Sequence, residues 1–431
     1  MTALPVLLVV HDQGSAGPLR ILSSARGLCR VVFLCEAREP SVAAELGQIA
    51  GHAEVVDIGG LGEEEVCRIA AGLGAAGVVT FSEHRLRLTA AVAARCGLRF
   101  HTPELVDVLT DKFRQRQALS GVQDTGCVLV RHPDDCAEAF ARVGTPAVLK
   151  PRHGAGSVDT CLVGSVAECR DRLAEFGDRA RRDFVLEEYL RGDPALADSG
   201  WGDYVSVESL VVDGEPRTVA VTGKPPLVPP FRETGHVLPA PLAADLAADV
   251  VELEQRALRA LGIRHGVTHT EVKLTADGPR IIEVNGRLGG FIAEIVQRRT
   301  GHDLVASALR LALGLPVTPP RPLLPGGEAG GEAGRVAFQY LLFPPAGPVS
   351  PGPPSLLDSL ADLPGVDLVD VSVPDDLHDD WRAGTLGALG VIYGTTGDHI
   401  QLAGLLRKLQ TRMEIHWYGS PAAPAVRSGA A

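Results

Sequence analysis

The stretch that decides the fold is GVTHTEVKLTADGPRIIEVNGRLGG, which runs from Gly266 to Gly290. Two runs rich in β-branched residues flank an Asp-Gly pair, and this pattern predicts a β-hairpin. A loop over residues 275–279 places Glu271 directly opposite Glu283 on the neighbouring strand. Two carboxylates in this position repel each other, and a divalent cation between them removes the repulsion. Carboxylate and amide oxygens suit Mg²⁺ or Mn²⁺, so the hairpin predicts a metal site that includes Asn285.

The two faces of this hairpin are expected to differ in polarity, because strand side chains alternate. The polar face carries Val267, His269, Glu271 and Lys273 from the first strand, followed by Ile281, Glu283, Asn285 and Arg287 from the second. The opposite face is apolar and carries Val272, Leu274, Ile282 and Val284. An exposed hairpin whose charges face water is the alternative interpretation, since a register slip of one residue removes the metal site.

The composition limits the classes of function. The chain has 431 residues, enough for two or three domains, and a formal net charge of −12. An acidic chain has no general attraction for nucleic acid or anionic membranes, and no apolar run is long enough to span a bilayer. Eight cysteines lie between Cys29 and Cys169 without a Cys-x-x-Cys pair, which favours free thiols in a cytoplasmic protein.

The first 105 residues alternate short apolar runs with helical patterns. The predicted strands are Val6–Val10, Val31–Cys35, Val55–Ile58 and Val78–Phe81. This βαβα order predicts a parallel sheet flanked by helices. The first turn lacks Gly-x-Gly-x-x-Gly and gives no support for dinucleotide binding.

Two further segments combine helices and strands. Residues 106–190 are predicted to form a small α+β unit whose first helix opens at Thr110-Asp111-Lys112. Residues 203–315 are predicted to begin a second sheet, with a Pro-rich loop at residues 225–241 and helices after the hairpin. A linker is expected at residues 316–334, then three strands and a helix, and residues 420–431 are expected to be disordered.

A second cluster of residues could bind phosphate. Lys150 ends an apolar strand and precedes a loop of small residues, Gly154-Ala-Gly156-Ser157. A strand, a lysine and a flexible loop can bring backbone amides close to phosphate oxygens. An ordinary surface turn is the alternative interpretation of this loop.

Taken in order, these pieces resemble the ATP-grasp superfamily, and within it the carboxylate–amine ligases that include bacterial L-amino-acid (dipeptide) ligases. The resemblance extends over nearly the whole chain and rests on the order and spacing of its motifs. These are Thr110-Asp-Lys112, residues 147–157, 185–190, 203–208 and 234–236, and finally Glu271 with Glu283-Val-Asn285-Gly-Arg287.

The resemblance implies that ATP binds between two α+β subdomains. Lys112 and Lys150 match the lysines that reach the nucleotide phosphates. The residues that match the flexible flap over the phosphates are Gly154, Gly156 and Ser157. The hinge is matched by Glu187, Glu188, Tyr189 and Leu190. In the family, the backbone of the hinge binds adenine, and its acidic side chains can meet the amino group or ribose.

The resemblance also implies metal and substrate residues. Glu271, Glu283 and Asn285 match the ligands of one or two Mg²⁺ (or Mn²⁺) ions. Arg287 matches the arginine that steadies the transferring phosphoryl group, so Arg287 and Lys150 are the predicted catalytic residues. The predicted substrate residues are His236, Lys224, Arg287, Gly289 and Gly290, with an ordinary surface lysine as the alternative for Lys224. Asp159 departs from the family pattern, in which a small residue is more common at this point of the flap.

The implied fold is α/β and α+β: an ATP-grasp fold with a Rossmann-like (pre-ATP-grasp) domain at residues 1–105. A lid subdomain at 106–190, a large subdomain at 191–320 and a C-terminal α+β extension at 321–419 follow. The implied activity joins a small-molecule acid to an amine through an acyl phosphate, with release of ADP and phosphate. An ATP-grasp carboxylase or other acid-activating enzyme and a non-catalytic nucleotide-binding protein are the alternatives. No nucleic-acid or membrane partner is expected. The sequence does not identify the substrates or the base that deprotonates the amine. A homodimer is the candidate for the assembly.

Overall fold

The computed structural model describes residues 3–177, 182–196, 199–325, 335–344, 355–373 and 379–418. The expected disorder of residues 420–431 and much of the linker at 316–334 lie outside these ranges. The strands are β1 (Val6–Val10), β2 (Arg30–Cys35), β3 (Glu54–Asp57), β4 (Gly77–Val79), β5 (Cys127–Val130), β6 (Ala147–Pro151), β7 (Cys161–Val163), β8 (Phe184–Glu188), β9 (Tyr204–Val212), β10 (Glu215–Gly223), β11 (Gly235–Leu238), β12 (Gly266–Thr275), β13 (Gly278–Asn285), β14 (Val336–Leu342), β15 (Val366–Val371) and β16 (Gly390–Thr396).

The helices alternate with these strands along most of the chain. They are α1 (Pro18–Ala25), α2 (Pro40–Gly47), α3 (Glu63–Gly72), α4 (Leu86–Cys96), α5 (Pro103–Leu109), α6 (Lys112–Ala118), α7 (Cys136–Val143), α8 (Val166–Phe176), α9 (Ala244–Leu261), α10 (Ile292–Thr300), α11 (Leu304–Ala312), α12 (Ser355–Asp358) and α13 (His399–Tyr418). In the ranges that the structure describes, no helix combines the length and apolar character needed to cross a membrane.

The N-terminal sheet is parallel, as the βαβα order predicted. Its strand order is β3-β2-β1-β4, and each neighbouring pair runs in the same direction. Leu7, Leu8 and Phe33 are fully buried, as expected for strands of a sheet that is covered on both faces. Helix α11 packs against α1 and β4, and its core residues join those of the N-terminal sheet in one cluster. The N-terminal domain is therefore firmly attached to the later part of the chain.

The second sheet forms the lid subdomain and is antiparallel, with the order β5-β8-β6-β7. Helix α6 enters this subdomain and begins at Lys112, as predicted. Asp111 caps the helix, because its side chain accepts hydrogen bonds from the backbone N–H groups of Phe113 and Arg114. The cap fixes the position of Lys112 in the first turn.

The third sheet has eight strands in the order β13-β12-β9-β10-β11-β14-β16-β15. The three C-terminal strands therefore continue the sheet of the large subdomain, and the boundary near residue 320 stays a prediction. Strand β11 lies within the segment that was predicted as a Pro-rich loop, and it joins β10 to β14. Its four residues are too few to show a clear alternation of apolar and polar side chains.

The hairpin of β12 and β13 has the predicted pairing of Glu271 with Glu283, but not the predicted loop. The turn has only residues 276–277, because Thr275 pairs with Gly278. A bulge at residue 282 then shifts the register by one residue. The shorter turn and the bulge offset each other, so Glu271 still pairs with Glu283. The prediction was wrong for the faces of Ile281 and Ile282: Ile281 is buried in the core with Val284, whereas Ile282 lines a cavity with Glu283.

Candidate active site

A cavity of about 420 Å³ lies between the lid sheet and the β12–β13 hairpin, within the range of ~300–1,000 Å³ that is typical of ligand pockets. It collects most of the predicted nucleotide and metal residues, namely Lys112, Lys150, Gly154, Gly156, Ser157, Glu187, Glu188, Tyr189, Leu190, Glu271 and Glu283. The other predicted residues do not line it; they are Asn285, Arg287, His236, Lys224, Gly289 and Gly290. The phosphate, hinge and carboxylate candidates thus share one space.

The N-terminus of α6 lies against the base of the flap. The Lys112 backbone N–H donates to the carbonyl of Arg152 at 3.0 Å, and its Nζ lies 2.6 Å from the Gly154 carbonyl oxygen. The same Nζ is 3.1 Å from Oε1 of Glu283. Burial lowers the pKa of Lys112, but the Glu283 carboxylate outweighs this effect and raises it, so the side chain stays cationic. One lysine therefore connects the flap to a predicted metal ligand.

Lys150 belongs to a buried cluster of three charged side chains. Its Nζ is 2.5 Å from Oε2 of Glu187, and Arg116 donates to both oxygens of the same carboxylate at 2.5 and 3.2 Å. Glu187 is only 4% exposed. Burial raises the pKa of this carboxyl, but the two cations lower it to about 2. Lys150 and Arg116 thus share the Glu187 carboxylate as their counter-ion.

The remaining hinge residues are more exposed. The Glu188 carboxylate accepts a hydrogen bond from Arg280 at 2.8 Å and another from the Gly126 backbone N–H at 3.3 Å. Both acidic side chains of the hinge therefore bind arginines. The sequence identified the hinge glutamates but not their arginine partners.

The two carboxylates on β12 and β13 have different neighbours. Oε1 of Glu271 is 3.7 Å from Nε2 of His269, whose Nδ1 is 3.0 Å from each oxygen of Glu208. Burial lowers the pKa of His269, but the Glu208 carboxylate raises it to about 9, so the imidazole is protonated at neutral pH. Burial alone raises the pKa of Glu271, whereas His269 lowers it and keeps the carboxylate ionised.

The donor atoms at this hairpin fit a hard divalent cation. Glu271 and Glu283 are register neighbours that both line the cavity. Asn285 lies one step further along the same face of β13, and its Nδ2 donates to the His269 carbonyl, so that Oδ1 is the atom available to a cation. The described part of the chain has no group of three His, Cys, Asp or Glu side chains that could hold a metal alone. Two carboxylates and an amide suit Mg²⁺ that also binds phosphate oxygens.

A buried polar layer lies behind the cavity. Lys224 is 1% exposed and contacts Glu233, so the alternative of a surface lysine is wrong. Nε2 of His236 is 3.6 Å from Glu233, and its Nδ1 is 2.9 Å from Oε1 of Gln339. Burial and the nearby Lys224 ammonium lower the pKa of His236 to about 4, so this imidazole is neutral at pH 7. Of these residues, Glu233 lines the cavity.

The predicted substrate residues after β13 lie at the interface with the N-terminal domain. Nε of Arg287 donates to Glu83 at 2.8 Å, and its NH1 group donates to the Leu288 carbonyl at 3.1 Å. A Cβ at Gly289 would lie 2.4 Å from Nδ1 of His269, so this position requires glycine. Gly289 therefore lies beside His269, whereas Arg287 lies beside Glu83 of the N-terminal domain.

Several residues that shape the site were not predicted from the sequence. Arg116 had a usable signal, because it lies four residues after Lys112 and thus on the same face of a helix. Glu233 lies three residues before His236, but the strand that orients this segment was not predicted. Tyr204 and Phe231 also line the cavity. Tyr204 lies in the motif at residues 203–208 but was given no role there, and Phe231 belongs to no motif that the sequence singled out.

Comparison with known proteins agrees with this geometry. Residues 143–294 match the family model of the ATP-grasp domain, and this range contains Lys150, the flap, the hinge and the β12–β13 hairpin. Residues 143–294 therefore form an ATP-grasp domain. The match covers the sheet of the large subdomain as far as α10, so the ATP-grasp domain includes both carboxylates and Arg287.

Two curated proteins are similar to part of this chain. The alanine–anticapsin ligase of Bacillus subtilis (strain 168) is 28% identical over 244 residues, which is 53% of this chain and 52% of that protein. Carnosine synthase 1 of Gallus gallus is 37% identical over 198 residues, 43% of this chain and 20% of that protein. The chain therefore spans about half of the length of the first relative and a fifth of the length of the second.

The fold is shared over nearly the whole chain with a solved structure. The L-amino acid ligase from Bacillus licheniformis matches with a TM-score of 0.72 and 20% sequence identity, covering 96% of this chain and 98% of that chain. The N-terminal domain and the C-terminal strands thus belong to the same architecture as the ATP-grasp domain between them.

Proposed function

We propose that the protein is an ATP-dependent carboxylate–amine ligase. In this reaction the γ-phosphoryl group of ATP is transferred to a carboxylate, which gives an acyl phosphate and ADP. An amine then attacks the acyl carbon, phosphate leaves, and an amide or dipeptide remains. The chemistry of the carboxylate–amine ligases among the relatives supports this assignment, and small-molecule acids and amines are the substrate classes that we infer.

One observation carries the proposal: the cavity brings two opposed carboxylates together with two lysines and a glycine-rich flap. Glu271 and Glu283 face the same space as Lys112 and Lys150. Opposed carboxylates without a cation destabilise a sheet, whereas lysines at the same site favour an anionic ligand. A magnesium–triphosphate complex supplies both charges in one ligand.

The chain's own residues have distinct roles in this proposal. Lys112 and Lys150 lie where they would neutralise phosphate oxygens, and Glu187 orients Lys150 until the nucleotide binds. Glu271, Glu283 and Asn285 would hold Mg²⁺. When bound, Mg²⁺ would offset the charge that develops on the transferring phosphoryl group.

Exclusion of water is the second requirement of the reaction, because an acyl phosphate is readily hydrolysed. The flap must therefore cover the phosphates before the acyl phosphate forms. Arg287 is proposed to steady the transferring group from the side of the N-terminal domain.

We propose the cytoplasm as the compartment, since the eight cysteines are free thiols, as expected where reductants maintain them. A homodimer stays a prediction.

The experiment is a screen of carboxylic acids, including amino acids, paired with amines in the presence of ATP and Mg²⁺. We expect ADP release that depends on both substrates, with one amide formed per ADP, measured by mass spectrometry of the products. At limiting Mg²⁺, Glu283→Gln should lower this activity, because one proposed ligand of the cation loses its charge. Asp277→Asn is the matched control, because this carboxylate lies in the exposed turn of the same hairpin. Absence of amide formation across a broad amino-acid panel, with a folded protein that binds ATP, would contradict the proposal.

A further inference from the structure

A C-terminal segment, residues 379–389, crosses the flap and is called the strap below. The backbone N–H of Thr385 donates to the Gly156 carbonyl at 2.8 Å, and the N–H of Asp159 donates to the Arg382 carbonyl at 3.0 Å. These two hydrogen bonds run in opposite directions and bracket the flap residues between Gly156 and Asp159. The strap is therefore bonded to the flap backbone itself, not only to side chains at its edge.

Contact between strap and flap is closest at Gly384. This residue has φ 60° and ψ −140°, a conformation that is available to glycine and strained for other residues. A Cβ at this position would lie 2.1 Å from the Gly156 carbonyl oxygen and 2.7 Å from the backbone of Val158. Glycine is thus required both by the backbone conformation and by the approach to the flap.

The flap has an unusual backbone beneath the strap. Ser157 and Asp159 have positive φ values of 56° and 50°, which non-glycine residues adopt only when the surroundings stabilise them. Asp159 is fully buried and its carboxylate contacts Arg182. The acidic residue that departs from the family pattern thus lies at the point where the flap meets the strap.

The strap is attached to both sides of the cavity. On the side of the large subdomain, Asp379 pairs with Arg232, and the hydroxyl oxygen of Thr385 accepts a hydrogen bond from the Glu233 backbone N–H at 3.4 Å. On the side of the lid, the Trp381 ring lies 6.1 Å from the ring of Phe176. A movement of the flap must therefore break contacts that connect the two subdomains.

We propose that the strap is a positioning element that holds the flap over the phosphate side of the cavity, with Gly384 as its positioning residue. The consequence for turnover rests on the proposed ligase function. If the strap is displaced, the flap opens more often, water reaches the acyl phosphate, and ATP is consumed without amide formation. The strap therefore couples ATP consumption to amide synthesis.

The test compares Gly384→Ala with Gly387→Ala in the full-length chain. Gly387 lies in the same strap, and a Cβ there meets only Ala383 at 3.4 Å and Asp380 at 3.8 Å, so the control makes the same chemical change away from the flap. The first readout is hydrogen exchange of the Asp159 amide in the protein without substrates. The second is the ratio of ADP released to amide formed.

For Gly384→Ala we expect exchange of the Asp159 amide to become about tenfold faster, since backbone strain of this kind costs enough to shift a local opening equilibrium by that factor. We also expect the ratio of ADP to amide to rise clearly above that of Gly387→Ala. Thr385→Val serves as a second variant in case Gly384→Ala does not fold. It keeps the side-chain shape and removes the hydroxyl oxygen that accepts a hydrogen bond from the Glu233 N–H. We expect it to raise the exchange rate and the ratio of ADP to amide by a smaller factor.

Two outcomes overturn the proposal. Unchanged exchange at Asp159 in the folded variants would show that the strap does not hold the flap, and faster exchange with an unchanged ratio of ADP to amide would show that it does not couple the reaction. The exchange measurement needs no substrate, so a failure of the strap is distinguishable from a failure of the ligase assignment. If no amide forms with any substrate pair, the exchange result alone decides whether the strap holds the flap.

Discussion

The substitution Glu187→Gln tests the buried cluster that orients Lys150. It keeps the size of the side chain and removes one negative charge from between two cations. Arg116 and Lys150 both lie within 2.5 Å of this carboxylate, and all three side chains are less than 10% exposed. The variant therefore retains two buried cations without their counter-ion, a situation that proteins tolerate poorly.

The magnitude follows from the pKa of Glu187. Folding lowers this pKa from 4.5 to about 2, and at about 1.4 kcal/mol per pH unit the difference corresponds to roughly 3 kcal/mol of stability at pH 7. Removal of one partner from a buried ion pair in other proteins costs a similar ~3–5 kcal/mol. We therefore expect Glu187→Gln to lower the free energy of unfolding by about 3 kcal/mol.

The assay is urea unfolding of the nucleotide-free chain, followed by circular dichroism at several pH values. Because folding lowers the pKa, the contribution of Glu187 is complete above about pH 4.5 and decreases as the pH falls towards 2. The difference between the wild type and the variant should thus be constant from pH 8 to pH 5 and become smaller below that range.

Glu188→Gln is the matched control for this experiment. Glu188 is the next residue and also binds an arginine, Arg280 at 2.8 Å, but its side chain is 36% exposed. Exposed ion pairs contribute ~0–1 kcal/mol, so this variant should differ little from the wild type. A loss below about 1 kcal/mol for Glu187→Gln, equal to that of the control, would refute the reasoning from burial and charge.

Three further predictions concern the metal, the arginine and a thiol. Glu283→Gln should raise the Mg²⁺ concentration for half-maximal ADP release at least about tenfold, and an unchanged requirement would exclude this carboxylate as a ligand. Arg287→Ala should lower turnover by about 10²–10³-fold while equilibrium dialysis shows retained ATP binding; unchanged turnover would remove Arg287 from the reaction. Burial raises the pKa of Cys127 to about 12, so iodoacetamide at pH 8 should modify it at least about tenfold more slowly in the native than in the unfolded chain, measured by mass spectrometry. Equal rates would contradict the raised pKa of this half-buried thiol.

Local signals in the sequence were sufficient for much of the fold. The apolar runs of the N-terminal domain gave its parallel sheet, and the Asp111 cap gave the start of α6. These features depend on residues close together in sequence, so composition and spacing reveal them. The carboxylates of the hairpin were found for the same reason, since Asp277-Gly278 lies between them.

Features that depend on distant residues could not be predicted in this way. Strand β11 is set by its pairing with β14, which is about a hundred residues later in the chain. Gly384 and the strap meet the flap across more than two hundred residues. Residues 379–389 contain no motif that marks them in the sequence, and the requirement for glycine becomes visible only when the flap carbonyl is in place.

The bulge at residue 282 shows how such long-range contacts determine the site. Among the described residues, strand β13 is the edge of the eight-stranded sheet, and no strand pairs with the outer side of its backbone. Side chains from α6 occupy that side: Gln115 bonds both backbone groups of Val284, and Arg116 donates to the carbonyls of Ile281 and Ile282. In the sequence these side chains are typical of a solvated helix face. Because they bind the edge where the register shifts, the lid subdomain fixes the bulge, and through it the direction in which Glu283 points into the cavity.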